Sequence, residues 1–234
     1  MNLGDLIKAF RKLADDEPAP RLWGDTEVKR YANEAERDAV ERGFLIEDDE
    51  TAEIVKISVE TGKETYALDS RILKITRARL ETRRILLFAA GKQMLDNRAF
   101  THRGDPEDWP SDGWGSPNWD TATGIPYAYV ESTGKIRLVG IPSVDDTLKL
   151  TVYRLPLQDM EETTDVPEIR AERHYELLDG MLARAYLKND AETYNPKKAA
   201  EHEARFTAHF GSKIDANVRR KQRETRSHTT RINW

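Results

Sequence analysis

The densest group of side chains capable of chemistry lies at 105–120. There Trp109, Trp114 and Trp119 recur every five residues among Asp105, Glu107, Asp108, Asp112 and Asp120. Indole platforms beside carboxylates are what sugar binding and glycoside hydrolysis need. Hydrolysis also needs a carboxyl pair held about 5 to 9 Å apart, and nothing in a loop rich in Gly and Pro fixes that separation. The simpler expectation is that the three tryptophans anchor the loop on a sheet or contact a neighbouring subunit. A second group is His202, Glu203 and His209. Zinc-protease histidines stand four apart on a helix. Seven residues is two turns, or about 10 Å, too far for one ion. These histidines are expected to pack beside an apolar stripe of Ala199, Phe206 and Phe210, and no metal is expected.

Other reaction chemistries lack their signatures. The chain has no cysteine, which excludes disulfides, thiolate metal sites and cysteine nucleophiles. It has neither a phosphate loop of the G-x-x-x-x-G-K-[ST] type nor a Gly-x-Ser-x-Gly nucleophile elbow. No cofactor and no catalytic residue is expected.

The third group is basic. From Lys213 to the end, Lys213, Arg219, Arg220, Lys221, Arg223, Arg226 and Arg231 stand against Asp215 and Glu224, seven minus two, or +5. The whole chain carries −5, so residues 1–212 carry −10. A basic tail on an acidic body is the mark of an interaction arm. Such a tail suits nucleic-acid phosphates or an acidic protein surface. The segment ends in Ile232-Asn233-Trp234, and a tryptophan after a basic run can anchor the run in a protein pocket.

These groups need a scaffold to position them. Leu3, Leu6, Ile7, Phe10 and Leu13 recur at helical spacing, and Pro18-Ala19-Pro20 ends that helix. Asp25 can cap a second helix carrying Val28, Tyr31, Ala32, Ala35 and Ala39, with Gly43 as its stop. From residue 53 the period changes to two: Val55, Ile57 and Val59 alternate with polar residues, and Thr61-Gly62-Lys63 turns the chain back through Tyr66 and Leu68. Strands are predicted at 72–80, 84–88, 125–131, 135–140 and 147–155, and a short helix at 91–98. Residues 156–167 read as a linker. Leu178, Met181, Leu182, Ala185 and Tyr186 restore helical spacing. Asn195-Pro196 opens a last helix, and Gly211 closes it. Beyond Gly211 only Ile214, Val218, Ile232 and Trp234 are large and apolar, too few for a core.

Strands in one block between helices argue for an α+β fold. Terminal helices at 1–45 and 168–211 would form a helical bundle. Residues 46–156 would be an inserted antiparallel β domain bearing the Trp-rich loop at 101–124. Residues 212–234 would be an extended C-terminal arm. No window approaches the roughly 18 apolar residues of a membrane span, and the N-terminus lacks the apolar run of a signal peptide. A soluble protein made in a cytoplasm is expected, with no membrane partner.

Several segments carry a family likeness in collinear order. They begin with Leu3-Gly4-Asp5-Leu6-Ile7, Trp23-Gly24-Asp25-Thr26-Glu27-Val28 and Tyr31-Ala32-Asn33-Glu34-Ala35. Gly62-Lys63-Glu64-Thr65-Tyr66-Ala67-Leu68, Gly124-Ile125-Pro126-Tyr127-Ala128-Tyr129, Ile136-Arg137-Leu138 and Val152-Tyr153-Arg154-Leu155-Pro156 follow. The last are Leu182-Ala183-Arg184-Ala185-Tyr186-Leu187-Lys188-Asn189-Asp190 and Asn195-Pro196-Lys197-Lys198-Ala199. Together these segments resemble the head-to-tail adaptor proteins that sit beneath the portal of tailed bacteriophages. On that resemblance Trp109, Trp114 and Trp119 would contact a neighbouring subunit or tail protein, and synthesis would be in the host cytoplasm. The resemblance implies a structural virion protein at the head-tail junction, without enzymatic activity. It implies a ring of twelve identical subunits between the portal and the next neck, tail or nozzle protein, through which DNA passes without specific binding. By position, the arm would dock on the portal through Ile214, Val218, Arg219, Arg220, Lys221, Arg223, Arg226, Arg231, Ile232 and Trp234. Two other readings compete: a nucleic-acid-binding protein using the basic tail, and a cell-wall glycosidase using the Trp/Asp loop.

Overall fold

A computed structural model describes residues 1–81, 86–89 and 120–213. The fold is α+β. The described chain divides into two compact units, one of residues 1–47 and 153–213, the other of residues 48–152.

The first unit is helical. Helix α1 (Leu3–Ala14) starts in a capping box: Asn2 accepts from the Asp5 N–H, and Asp5 accepts from the Asn2 N–H. Its face of Leu3, Leu6, Phe10 and Ala14 is buried. Leu13, expected on that face, is instead half exposed. Helix α2 (Asp25–Gly43) buries Val28, Tyr31, Ala32, Ala35 and Ala39, as their spacing predicts. Its cap is Gly24 rather than Asp25, because an Asp25 carboxylate oxygen is taken by Arg11 Nη2 at 2.5 Å. The left-handed residue after it is Phe44, with φ 49°. After a 3-10 turn at Ala171–Arg173 come the last two helices of this unit, one at Leu177–Ala185 and one at Pro196–Phe210. Asn195 caps the latter by accepting from the Lys198 N–H, and Pro196 stands at its first turn, where a missing N–H costs nothing.

Residues 156–167 are not a loose linker. Asn33 clasps the Met160 backbone on both sides, donating to its carbonyl at 3.1 Å and accepting from its N–H at 2.9 Å. Asp165 and Thr163 carbonyls accept from the Leu3 and Gly4 N–H groups. The segment is a strap across α1 and α2, held by backbone groups that no hydrophobic period announces.

The second unit holds the sheets. Residues 53–55, expected to open a strand, belong to a short helical turn, α3 (Ala52–Val55), and the strand begins at Lys56. With this turn numbered, the helices at Leu177–Ala185 and Pro196–Phe210 are α4 and α5. One sheet is ordered β1 (Glu47–Asp48), β10 (Asp146–Arg154), β2 (Lys56–Val59), with β4 (Ile72–Leu80) also on β10. A second is ordered β3 (Thr65–Ala67), β8 (Lys135–Val139), β7 (Ala128–Ser132), β5 (Leu87–Ala89). The β7–β8 hairpin turns at Gly134, whose φ of 67° favours a residue without Cβ. Pairing is mainly antiparallel, but β5 runs parallel to β7, and β6 (Thr123–Gly124) parallel to β9 (Ile141–Pro142). Ile54, Val59, Tyr66, Ile75, Leu80, Ile136, Leu138 and Leu148 lie in the core of this unit. The strand expected at 84–88 is described from 87 to 89, and the helix expected at 91–98 lies outside the described residues. Among the described residues no helix is long and apolar enough to cross a membrane.

Candidate functional site

Trp109, Trp114 and Trp119 lie outside the described residues, as do Asp105, Glu107, Asp108 and Asp112. Asp120 is exposed, and its carbonyl accepts from Arg137 at 3.3 Å. Ile214, Val218, Arg219, Arg220, Lys221, Arg223, Arg226, Arg231, Ile232 and Trp234 also lie outside them. On α5, His202 Nδ1 is 2.8 Å from Asp179 and the ring stacks on Tyr186, whereas His209 Nδ1 is 3.3 Å from Glu176. The two histidines therefore serve different partners, Asp179 on α4 and Glu176 at its N-cap. Among the described residues no three His, Asp or Glu side chains are placed to hold a metal ion.

What the helical unit does bring together is buried charge. Arg11 is 4% exposed and holds Asp16, Asp25 and the Trp23 carbonyl, closing the turn between α1 and α2 over a buried indole. Trp23 meets Phe10 and Tyr186 edge to face and donates to the Ala185 carbonyl at 3.2 Å. Farther along α2, Asp38 lies between Arg42 and Arg184, at 2.9 and 2.7 Å. Burial alone would raise the Asp38 carboxyl, but hydrogen bonds from the two guanidinium groups outweigh it and hold the pKa below the ordinary value. Arg154 pairs with Glu168, whose other oxygen accepts from the Leu157 N–H.

Glu36 stands apart from these pairs. It is buried and accepts from the Glu168 N–H at 2.6 Å. Burial pushes its carboxyl up to about 7, against the opposing pull of the Glu168 and Ile169 N–H groups; the charges of Glu168 and Asp159 add to the rise. None of these groups forms a nucleophile–base pair opening on a cleft, the arrangement that acyl or phosphoryl transfer requires. They fasten helices and strap to each other.

The remaining feature is where apolar surface stays exposed. Arg11, near the end of α1, holds Asp25 at the start of α2, so these helices run antiparallel. Trp23, before α2, reaches Ala185 at the end of α4, while Arg42, at the other end of α2, reaches Thr207 and Gly211 at the end of α5. Helices α2 and α5 thus point one way, and α1 and α4 the other. Leu13, Leu22, Leu187 and Tyr194 then fall at one end, where Lys188 Nζ ties the two loops by donating to the Leu22 carbonyl. Leu157, Val166 and Tyr175 fall at the opposite end, with Val166 58% and Tyr175 60% exposed. At that end, Phe44, Leu45, Tyr153 and Ile169 line a cavity of about 340 Å3 rimmed by Arg170, Arg173 and Glu47. Exposed apolar groups gathered at two opposed ends are what a protein seated between two partners would carry. The leucines, valine and tyrosines responsible are far apart in sequence and spaced like core or loop residues, so periodicity did not single them out.

A family model described as SU10 adaptor protein matches residues 1–232. No curated protein matches the chain.

Proposed function

We propose, from the premise that the chain belongs to the SU10 adaptor family of phage head-tail adaptors, that it forms a ring of twelve copies joining the portal to the next neck, tail or nozzle protein. The observation that carries this reading in the geometry is the placement of exposed apolar side chains at both ends of the helical unit. Two ends with docking character suit a spacer better than an enzyme, which concentrates its groups in one cleft. The portal-facing element is the basic arm, with Ile214, Val218, Ile232 and Trp234 as apolar anchors and Arg219, Arg220, Lys221, Arg223, Arg226 and Arg231 pairing with portal carboxylates. Arginine suits that task because its planar fork binds carboxylates bidentately. Trp109, Trp114 and Trp119 contact a neighbouring subunit or the downstream protein. The acidic balance of residues 1–212 keeps translocating DNA from sticking to the channel wall, since excess carboxylates repel phosphate.

The test is docking of the purified chain on its cognate portal. Deleting residues 212–234 is expected to leave a folded subunit that no longer joins the portal. Trp234→Ala is expected to weaken docking more than any single Arg→Ala change, because one exposed ion pair contributes only about 0 to 1 kcal/mol. A truncated subunit that docks at full affinity would sink the arm's role. Docking that collapses with salt at a slope near −0.9 per contact, on DNA rather than on portal, would favour the nucleic-acid reading.

A further inference from the structure

We propose that Arg42 is a positioning residue for the C-terminal arm: its guanidinium clamps the end of α5 and so fixes where, and in which direction, the chain leaves the helical unit. This rests on the reading that residues 212–234 dock on the portal. An arginine has five N–H donors in a rigid fork, and all five are engaged here. Nε and Nη2 take the two oxygens of Asp38, at 3.0 and 2.9 Å. Nη2 also donates to Glu203 at 2.8 Å, while Nη1 donates to the Thr207 hydroxyl at 3.1 Å and to the Gly211 carbonyl at 3.4 Å. The guanidinium lies over the Phe206 ring, 4.9 Å from its centroid.

Gly211 is the last capped position of α5, with φ 90°. Its N–H is held by the Thr207 carbonyl at 2.8 Å and its carbonyl by Arg42. Two residues on, Lys213 Nζ stands 4.0 Å from Asp38. The root of the arm is therefore fastened at both backbone groups of Gly211, the N–H by its own helix and the carbonyl by a side chain rooted in another helix. The last carbonyls of a helix lack intrahelical partners; at this helix end the Gly211 carbonyl is held by a buried cation with four further hydrogen bonds behind it. A fixed root confines a tethered arm to a small volume and raises its effective concentration at a partner placed in the right direction. Lysine could keep the charge opposite Asp38 but has no fork to span Asp38, Glu203, Thr207 and Gly211 together.

The chain has no cysteine, so Ser212→Cys accepts a single nitroxide label. In the full-length isolated subunit the label is expected to be restrained with Arg42 present and several-fold more mobile in Arg42→Lys. Val40→Ala, which opens a small core gap elsewhere on α2, controls for lost stability and is expected to leave the label restrained. On purified portal, Arg42→Lys is expected to dock about tenfold more weakly than wild type, and Val40→Ala like wild type. Equal label mobility in wild type and Arg42→Lys would overturn the clamp whatever the portal does. A freely mobile root in Arg42→Lys with undiminished docking would overturn its positioning role. Undiminished docking after deletion of 212–234 would instead overturn the portal reading of the arm, with the label result still deciding whether Arg42 holds its root.

Discussion

In the helical unit Arg11, Asp16, Glu36, Asp38, Arg42 and Arg154 are buried; among the described residues of the β unit, Asp48 is the buried charged side chain. The β unit follows the ordinary rule: alternation puts Leu148, Leu150 and Val152 inward, and charges such as Lys149 and Glu81 pair at the surface, 2.5 Å apart. The helical unit has an apolar core as well, but adds to it buried ion pairs whose desolvation offsets most of their attraction. Buried pairs of this kind stabilise little relative to an apolar core, but they permit only a few arrangements of the groups that make them. The difference is between a unit held by apolar area and a unit held by apolar area with buried polar geometry added, and the second carries the exposed ends and the root of the C-terminal segment.

Breaking one buried pair is expected to have the largest effect. Arg42→Met leaves Asp38 without its bidentate partner and should cost about 3 to 5 kcal/mol. Hydrogen exchange should show the loss in the amides of α2, α4 and α5. Leu148→Ala, in the β core, should cost roughly 2 to 5 kcal/mol through the lost transfer term and the cavity. It should show instead in β2, β4 and β10. Uniform loosening of the whole chain by either variant would erase the comparison.

Glu36 sharpens the contrast through pH. Its folded-state pKa of about 7 lies above the ordinary 4.5, so the folded chain holds the proton more tightly than the unfolded one. Stability from this group is full below about pH 4.5 and is lost as pH rises through about 7. Glu36→Gln cannot ionise and should be more stable than wild type at pH 8 by roughly 1 to 3 kcal/mol, with little difference at pH 4.5. Denaturant melts at the two pH values check it; a Gln variant less stable than wild type at pH 8 would mean the ionised carboxylate is favourably held.

The helices were legible because apolar spacing at 3.6 residues is local. Val28, Tyr31, Ala32, Ala35 and Ala39 needed only each other, and Asn195-Pro196 announced its own cap. The α+β class followed from the block order. The turn at Ala52–Val55 was misread because Val55 fits the alternation of Ile57 and Val59 equally well. Parallel pairing of β5 with β7 depends on a partner about 40 residues away, which no window sees. The same holds for the buried charges. Asp38 and Arg42 stand at the i,i+4 spacing that suggests a pair, but Glu203 and Thr207 enter only when α5 folds back on α2. Leu13 matched the core stripe of α1 and proved to belong to an exposed end.

The proposed role is that of a spacer that assembles on a portal. The most direct measurement is the mass of the full-length protein by light scattering at micromolar concentration, alone and with its cognate portal. The account predicts a monomer alone, since its surface is highly charged, and twelve copies bound per portal ring. A stable dodecamer without portal would contradict templated assembly, and no complex with portal would contradict the adaptor role itself.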